Sequence, residues 1–162
     1  MSNTTSAQNK LLMQQIFDGL ARGDSSLFRE RLADDAVWTV TAENSWSHTF
    51  RGREEILNDL FGYVRSLVTD RLKTKAFRFL ADEDWVVIEA RDDMMTKSGA
   101  PYCNHYCFLY RLENGRIVEM KEYQDSALCE RALGRYPAER RNGAESNVVA
   151  ASSKEPATEA SN

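Results

Sequence analysis

One stretch of the chain, residues 99–125 (GAPYCNHYCFLYRLENGRIVEMKEYQD), constrains the fold most strongly. Polar and apolar residues alternate on both sides of LENGR, which is typical of two antiparallel strands joined by a three-residue loop with glycine in the left-handed conformation. Since side chains alternate between the faces of a strand, the first strand presents one mainly aromatic face: Tyr102, Asn104, Tyr106, Phe108 and Tyr110. The return strand adds Val118, Met120, Glu122 and Gln124 to that face.

Glu122 is the residue of this hairpin that most needs an explanation. The loop length predicts that Glu122 lies opposite Tyr106 and that Met120 lies opposite Phe108. An acid on an otherwise apolar, aromatic face is costly to bury unless it has a partner or a function. Glu122 is therefore the first candidate functional residue.

Composition and charge limit the class of protein. A chain of 162 residues that is 42% hydrophobic can form one globular domain with a substantial core. The net charge is −4 and the basic residues are spread along the chain, so we expect no nucleic-acid partner. The sequence has no apolar run of about 18 residues and no charged-then-apolar leader, so we expect a cytoplasmic protein that does not bind a membrane.

The sequence also favours chemistry without a cofactor or a metal. It has no glycine-rich phosphate loop, and its two histidines, His48 and His105, exclude a histidine-rich metal site. The three cysteines have no metal-binding spacing, and we expect free, partly buried thiols: Cys103, Cys107 and Cys129.

Hydrophobic periodicity and turn signals predict the other elements. Helices are expected over 8–22, 25–32, 53–68 and 126–133. Strands are expected over 36–41, 72–80 and 85–96, with a loop over 42–52. We expect residues 1–7 to be disordered, one domain over 8–134, and a polar, disordered tail over 135–162.

The order α-α-β-α-β-β-β-β-α indicates an α+β fold, because four consecutive antiparallel strands follow helices that are concentrated at the N-terminus. A long, curved sheet with the helices packed on one face leaves a conical cavity between the two layers.

Three passages resemble a known superfamily: ARGDSSLFRERLADDAVW, FRGREEI and YCNHY…YRLENGRIVEMKEYQD. Over residues 8–134 the chain resembles the nuclear transport factor 2-like superfamily, and within it the SnoaL-like, ketosteroid isomerase-related proteins. The resemblance implies a cone-shaped α+β barrel with a strongly curved, mixed but mostly antiparallel sheet, and with the N-terminal helices on its concave face. The superfamily includes isomerases, cyclases, hydrolases, dehydratases and non-enzymatic binders, so the fold alone does not give the function.

The resemblance also suggests catalytic residues. The hairpin is similar to that of the phenazine biosynthesis A/B proteins and limonene epoxide hydrolase, in which the acid before the aromatic residue is catalytic; that position is Glu122. Limonene epoxide hydrolase also uses an Arg and an Asp two residues apart, and the corresponding pair here is Glu89 and Arg91, in reversed order. A ketosteroid isomerase has an Asp and a Tyr where this chain has Val40 and Ile16, so its mechanism is not expected.

Strand parity predicts one wall made of Glu89, Arg91, Asn104, Tyr106 and Glu122. Glu122 is interpreted as a general acid or base with a raised pKa, and Arg91 as the group that orients it or stabilises an oxyanion. A buried structural ion pair between Glu122 and Arg91 is the alternative. The remaining predicted substrate contacts come from the same face of the sheet: Trp38, Val40, Phe108 and Met120.

The opposite face carries Cys103, His105 and Cys107, and we expect it to form a homodimer. Asp93 and His48 are expected to be solvated. Three functions remain open: a cofactor-free enzyme acting on a small hydrophobic, oxygen-bearing molecule, a binding module for the same kind of ligand, and a dimeric interaction domain with a filled core. Only the first two need a cavity of ligand size.

Overall fold

The computed structural model describes residues 2–141, which begin with two helices. α1 spans Ser2–Ala21 and α2 spans Ser26–Arg31. Gly23 ends the first helix with a φ of 75°, and the Asp24 side chain accepts a hydrogen bond from the backbone N–H of Ser26. The helix therefore starts well before residue 8, so the prediction of a disordered segment at 1–7 is corrected from Ser2 onward.

Six strands form one open sheet: β1 (Leu32–Thr41), β2 (His48–Arg51), β3 (Thr74–Asp82), β4 (Trp85–Asp92), β7 (His105–Glu113) and β8 (Arg116–Gln124). Their order is β2-β1-β8-β7-β4-β3, and every neighbouring pair is antiparallel except β1 and β8, which are parallel. A small second ladder joins β5 (Met94–Met95) to β6 (Pro101–Tyr102). The mixed, mostly antiparallel sheet of the predicted α+β fold is thus confirmed, and β2 occupies part of the predicted 42–52 loop.

A helical segment between β2 and β3 covers the sheet. It consists of α3 (Arg53–Glu55), a π-helical stretch (Ile56–Gly62) and α4 (Tyr63–Leu67). α5 (Ser126–Leu133) follows the hairpin, and the Asp125 side chain caps its first turn by accepting a hydrogen bond from Leu128 N–H. No helix in the described part of the chain is long and apolar enough to cross a membrane.

The helices pack on the concave face of the sheet. Phe17 of α1 packs against three aromatic residues of the sheet, with ring centroids about 6 Å apart: Phe79, Phe108 and Tyr110. Phe61 of the π-helical stretch meets Trp38 of β1 edge-on at 4.9 Å. These aromatic contacts join the helices to the concave face of the sheet.

The register of the β7–β8 hairpin differs from the prediction. Glu122 lies opposite Phe108, and Met120 lies opposite Tyr110. The turn at Asn114 and Gly115 has two residues with positive φ (50° and 73°), which is a two-residue hairpin loop and not the predicted three-residue one. This difference shifts the pairing by one residue, and a β-bulge after Arg111 shifts it by one more. The two shifts together preserve parity, so Glu122 stays on the concave face.

The domain extends beyond the predicted boundary at residue 134. Tyr136 is buried, its ring lies 5.1 Å from Trp46 and 5.3 Å from Tyr63, and its hydroxyl donates to the Asp59 carbonyl. The predicted tail therefore begins too early. Residues 142–162 lie outside the described residues.

Candidate active site

A cavity of about 320 Å³ lies between the concave face and the helices. Much of its lining is aromatic, contributed by both layers: Phe17, Phe28, Trp38, Phe61, Phe108 and Tyr110. A cavity of this size can hold a small organic molecule. The hypothesis of an interaction domain with a filled core does not fit this geometry.

Glu122 contributes a carboxyl group to this apolar lining. It is 8% exposed, and its Oε2 accepts a hydrogen bond of 2.9 Å from the Trp38 indole N–H. Burial raises the pKa of Glu122 to about 8, against the opposing effect of the Trp38 hydrogen bond and with a further increase from the negative charge of Asp92. At neutral pH the carboxyl group is therefore mainly protonated and can donate a proton.

Asp92, at the end of β4, is a second buried acid of the cavity that the sequence reasoning missed. Its Oδ2 accepts a hydrogen bond of 2.5 Å from the Tyr106 hydroxyl, and its Oδ1 accepts one of 2.7 Å from the Thr74 hydroxyl. Burial raises the pKa of Asp92 to about 6, although both hydrogen bonds favour the ionised form. At neutral pH Asp92 is mainly ionised and can accept a proton.

A chain of hydrogen bonds leads from Asp92 through two tyrosine hydroxyls to Gln124. The hydroxyls of Tyr106 and Tyr102 lie 2.9 Å apart, and Tyr102 donates to Gln124 Oε1 at 3.2 Å. Burial raises the pKa of both phenols well above its ordinary value, so both stay protonated. These hydroxyls fix the Asp92 carboxylate in one orientation on the cavity wall.

The wrong parity for β4 explains why Asp92 was missed. Ile88 pairs with Phe108 and Ala90 with Tyr106, so the even-numbered residues of β4 face the cavity. The sequence carried a usable signal, because Val86, Ile88 and Ala90 are the apolar set of this strand and Asp92 continues their alternation. The odd-numbered set contains the charges and belongs on the outer face.

The predicted grouping of Glu89 and Arg91 with Glu122 is therefore wrong. Glu89 lies on the convex face, where its carboxylate pairs with Arg78 at 3.1 Å, and Arg91 is exposed opposite His105. The alternative of a buried Glu122–Arg91 ion pair fails for the same reason. Glu122 is buried without a cation beside it in the described part of the chain.

The predicted substrate contacts divide into two groups. Trp38, Val40, Tyr106 and Phe108 line the cavity. Met120 is fully buried in the core outside the lining. Asn104 is also fully buried outside the lining; its side chain bonds to Gln124 Oε1 at 2.8 Å and to the backbone of Asp125, which fixes the join between β7 and the end of β8.

Other predicted positions lie away from the cavity. His105 and Cys107 line a shallow depression on the convex face, and the three cysteines are free thiols. Asp93 is exposed, as predicted. His48 is not a solvated loop residue, because it belongs to β2 and lies 3.5 Å from a carboxylate oxygen of Glu55. No group of three potential metal ligands is found among residues 2–141.

Comparison with known proteins agrees with this architecture. Residues 13–120 match the SnoaL-like domain family. No curated protein matches the chain.

Solved structures share the fold at low sequence identity. A nuclear transport factor 2-like protein of unknown function from Burkholderia pseudomallei has a TM-score of 0.66 and 19% identity over 77% of this chain and 96% of its own. A protein from Jannaschia sp. CCS1, described as a candidate SnoaL-like polyketide cyclase, has a TM-score of 0.64 and 19% identity over 82% of this chain and 95% of its own. A protein with a ketosteroid isomerase-like fold from Catenulispora acidiphila, solved with trimethylamine, has a TM-score of 0.62 and 16% identity over 79% of this chain and 95% of its own.

These structures establish the fold, and the sequence match runs from the second half of α1 to Met120 in β8, two residues before Glu122. The predicted resemblance is confirmed: the chain belongs to the SnoaL-like domain family.

Proposed function

We propose that the chain is a cofactor-independent enzyme that transfers protons on a hydrophobic, oxygen-bearing small molecule, with an isomerase, cyclase or hydrolase type of reaction. One observation carries the proposal. Two carboxyl groups, Glu122 and Asp92, are buried in the lining of one aromatic cavity, and neither has a cation beside it in the described part of the chain. Such burial costs folding free energy, so a catalytic function accounts for it better than a structural one does.

The environments of the two acids assign their roles. At neutral pH Asp92, with a pKa of about 6, is the base, and Glu122, with a pKa of about 8, is the acid. In an isomerisation, Asp92 removes a proton from the carbon next to a carbonyl group while Glu122 donates to the carbonyl oxygen, which yields a neutral enol. In a hydrolysis, Asp92 takes the proton of an attacking water and Glu122 protonates the leaving oxygen.

The surrounding side chains support both steps. Trp38 donates to Glu122 Oε2, which leaves Oε1 to carry the mobile proton. Tyr106 and Thr74 hold the Asp92 carboxylate. The aromatic lining makes the surroundings of both carboxyl groups apolar, which strengthens each of these interactions. The free thiols fit a reducing compartment, and we propose that the protein acts in the cytoplasm without a metal or an organic cofactor.

Deuterium exchange tests the proposal without knowledge of the natural substrate. A panel of cyclic ketones is incubated with the protein in D₂O, and mass spectrometry follows the exchange of α-hydrogens. We expect catalysed exchange, with a loss of roughly 10²–10⁴-fold in both Asp92→Asn and Glu122→Gln, which is the usual contribution of a general acid–base group. Glu89→Gln is the matched control, because Glu89 lies on the outer face, and it should keep the wild-type rate.

A second function, a binding module of the same fold, is favoured by the aromatic cavity. It predicts that ligands bind with similar affinity to the wild type and to both cavity variants, and that no exchange occurs above the background rate. Exchange at the wild-type rate in either cavity variant would also contradict the assigned roles.

A further inference from the structure

Three arginines lie where the cavity opens to solvent. Arg29 of α2, Arg65 of α4 and Arg71 before β3 line the same cavity as Asp92 and Glu122. The arginines are exposed, whereas the two acids are buried. The cavity therefore has a cationic mouth and a floor that carries the carboxyl groups.

The local structure brings the three guanidinium groups to this mouth from separate elements. Arg71 packs on the turn between α1 and α2, where its Cβ lies 3.0 Å from the position that a Cβ on Gly23 would take. Arg29 Nε donates to Ser25 Oγ at 3.2 Å, and Arg65 Nη1 donates to the Val68 carbonyl at 3.4 Å.

These arginines retain unused donors. A guanidinium has five N–H groups, and the bonds of Arg29 and Arg65 each use one nitrogen. The ion pairs formed within residues 2–141 involve other cations. Two acids lie near the mouth, and each already accepts hydrogen bonds from other residues: Asp24 from Ser26, and Asp70 from Lys73 and the Arg71 backbone.

We infer that the ligand of this cavity is a small organic carboxylate. Its carboxylate binds the arginines at the mouth, its apolar body lies among the aromatic side chains, and a neutral oxygen reaches Glu122. Guanidinium groups bind carboxylates through two parallel hydrogen bonds, which suits this arrangement. If the ligand bound in the reverse orientation, its carboxylate would lie beside the Asp92 carboxylate, and the two negative charges would repel.

The cavity volume adds a limit on ligand size. About 320 Å³ is at the small end of the range for ligand sites, which favours acids with one or two rings. The inference rests on the proposed function for the neutral oxygen at Glu122, while the preference for a carboxylate rests on the arginines alone.

Matched pairs of ligands test the preference. One- and two-ring acids and their primary carboxamides, with 2-naphthoate and 2-naphthamide as the first pair, are titrated onto the full-length protein at neutral pH. Calorimetry measures Kd, and the fluorescence of Trp38 and Trp46, which line the cavity, reports binding there. We expect the best carboxylates to bind at least about tenfold more tightly than their amides.

Arginine variants then locate the source of the preference. A triple variant, Arg29→Gln with Arg65→Gln and Arg71→Gln, should remove it, and the exposed positions of these side chains leave the core intact. Arg22→Gln is the matched control, because Arg22 is exposed in the same α1–α2 region but is not part of the lining; this variant should keep the preference.

Equal or tighter binding of the amides, or no binding of any tested acid at millimolar concentration, would overturn the inference. The inference would also be overturned if the triple arginine variant kept the wild-type preference for carboxylates over amides. Carboxylate binding that depends on the arginines, without any exchange chemistry, would instead contradict the proposed function and leave this inference standing. Catalysed exchange on neutral ketones, without any preference for acids, would support the proposed function and overturn the carboxylate inference.

Discussion

At the scale of single residues, Glu122 and Asp92 differ mainly in the groups that contact them. Glu122 has one donor, the Trp38 indole, whereas Asp92 has two hydroxyl donors, Tyr106 and Thr74. Hydrogen-bond donors favour the ionised carboxylate. Glu122, with fewer donors, therefore has the higher pKa. Two acids in one cavity are thus held in different protonation states at neutral pH.

These shifted pKa values predict how stability depends on pH. Both carboxyl groups have a higher pKa in the folded chain than in the unfolded one. Their contribution to the free energy of unfolding is therefore complete at low pH and is lost as the pH rises. For Glu122 the loss runs from its ordinary pKa of 4.5 to about 8, and for Asp92 from 3.8 to about 6. We expect Glu122→Gln to remove the part of the wild-type decrease that Glu122 causes, between pH 4.5 and about 8.

Urea denaturation across that pH range measures the effect. The free energy of unfolding of Glu122→Gln, relative to wild type, should increase by ~3–5 kcal/mol from acid to alkaline pH, since one pKa unit corresponds to about 1.4 kcal/mol. Glu89→Gln, at a half-exposed position that pairs with Arg78 on the outer face, serves as the control. Parallel curves for wild type and Glu122→Gln would show that Glu122 ionises in the folded state as it does in the unfolded one.

At the scale of elements, the hairpin decides which side chains reach the cavity. The turn at Asn114–Gly115 and the bulge after Arg111 each move the pairing by one residue. A change in only one of them would turn Glu122 to the outer face, because a slip of one residue exchanges the faces of a strand. The π-helical stretch acts similarly on the helical side, where it presents Leu57, Leu60 and Phe61 to the cavity.

Gly115→Ala tests the contribution of the turn. Gly115 has a φ of 73°, where a Cβ is disfavoured, so the free energy of unfolding should fall by about 1–2 kcal/mol. Gly115→Asn is the matched variant and should recover most of that loss, because Asn tolerates the left-handed region. Urea denaturation compares the three proteins; an unchanged midpoint for Gly115→Ala would show that the turn accepts another conformation.

Sequence reasoning succeeded where one face of an element is clearly apolar. The α+β class, the curved sheet and the position of Glu122 follow from alternation in β7 and β8. It failed where pairing depends on loop geometry that the sequence does not display. Residues 93–104 contain a short ladder, β5 with β6, and not one simple turn, so the face of β4 was assigned incorrectly and Asp92 was missed. Tyr136 was missed because a single aromatic residue in a polar segment gives no periodic signal.

At the scale of the whole molecule, the two faces of the sheet differ in how they are covered. The helices cover the concave face, whereas the convex face leaves large apolar side chains in solvent: Phe77 is 62% exposed, Leu80 is 60% exposed and Tyr123 is 44% exposed. Clustered apolar exposure on a folded domain indicates a protein interface. Together with His105 and Cys107 on the same face, these side chains support the proposal of a homodimer formed through this face.

Sedimentation velocity tests the homodimer. We expect the wild-type protein to sediment as a dimer at micromolar concentration, and Leu80→Glu to sediment as a monomer, because the new carboxylate would lose its hydration in the interface. Leu11→Glu is the matched control, since Leu11 is 56% exposed on α1, the helix that packs on the opposite face of the sheet. Leu11→Glu should therefore remain dimeric.

A monomeric wild-type protein would contradict the proposal, and so would a dimeric Leu80→Glu variant, because the exposed leucine would then lie outside the interface. Since the cavity lies on the other face of the sheet, the monomeric variant should still bind the same ligands, which separates assembly from the chemistry of the site.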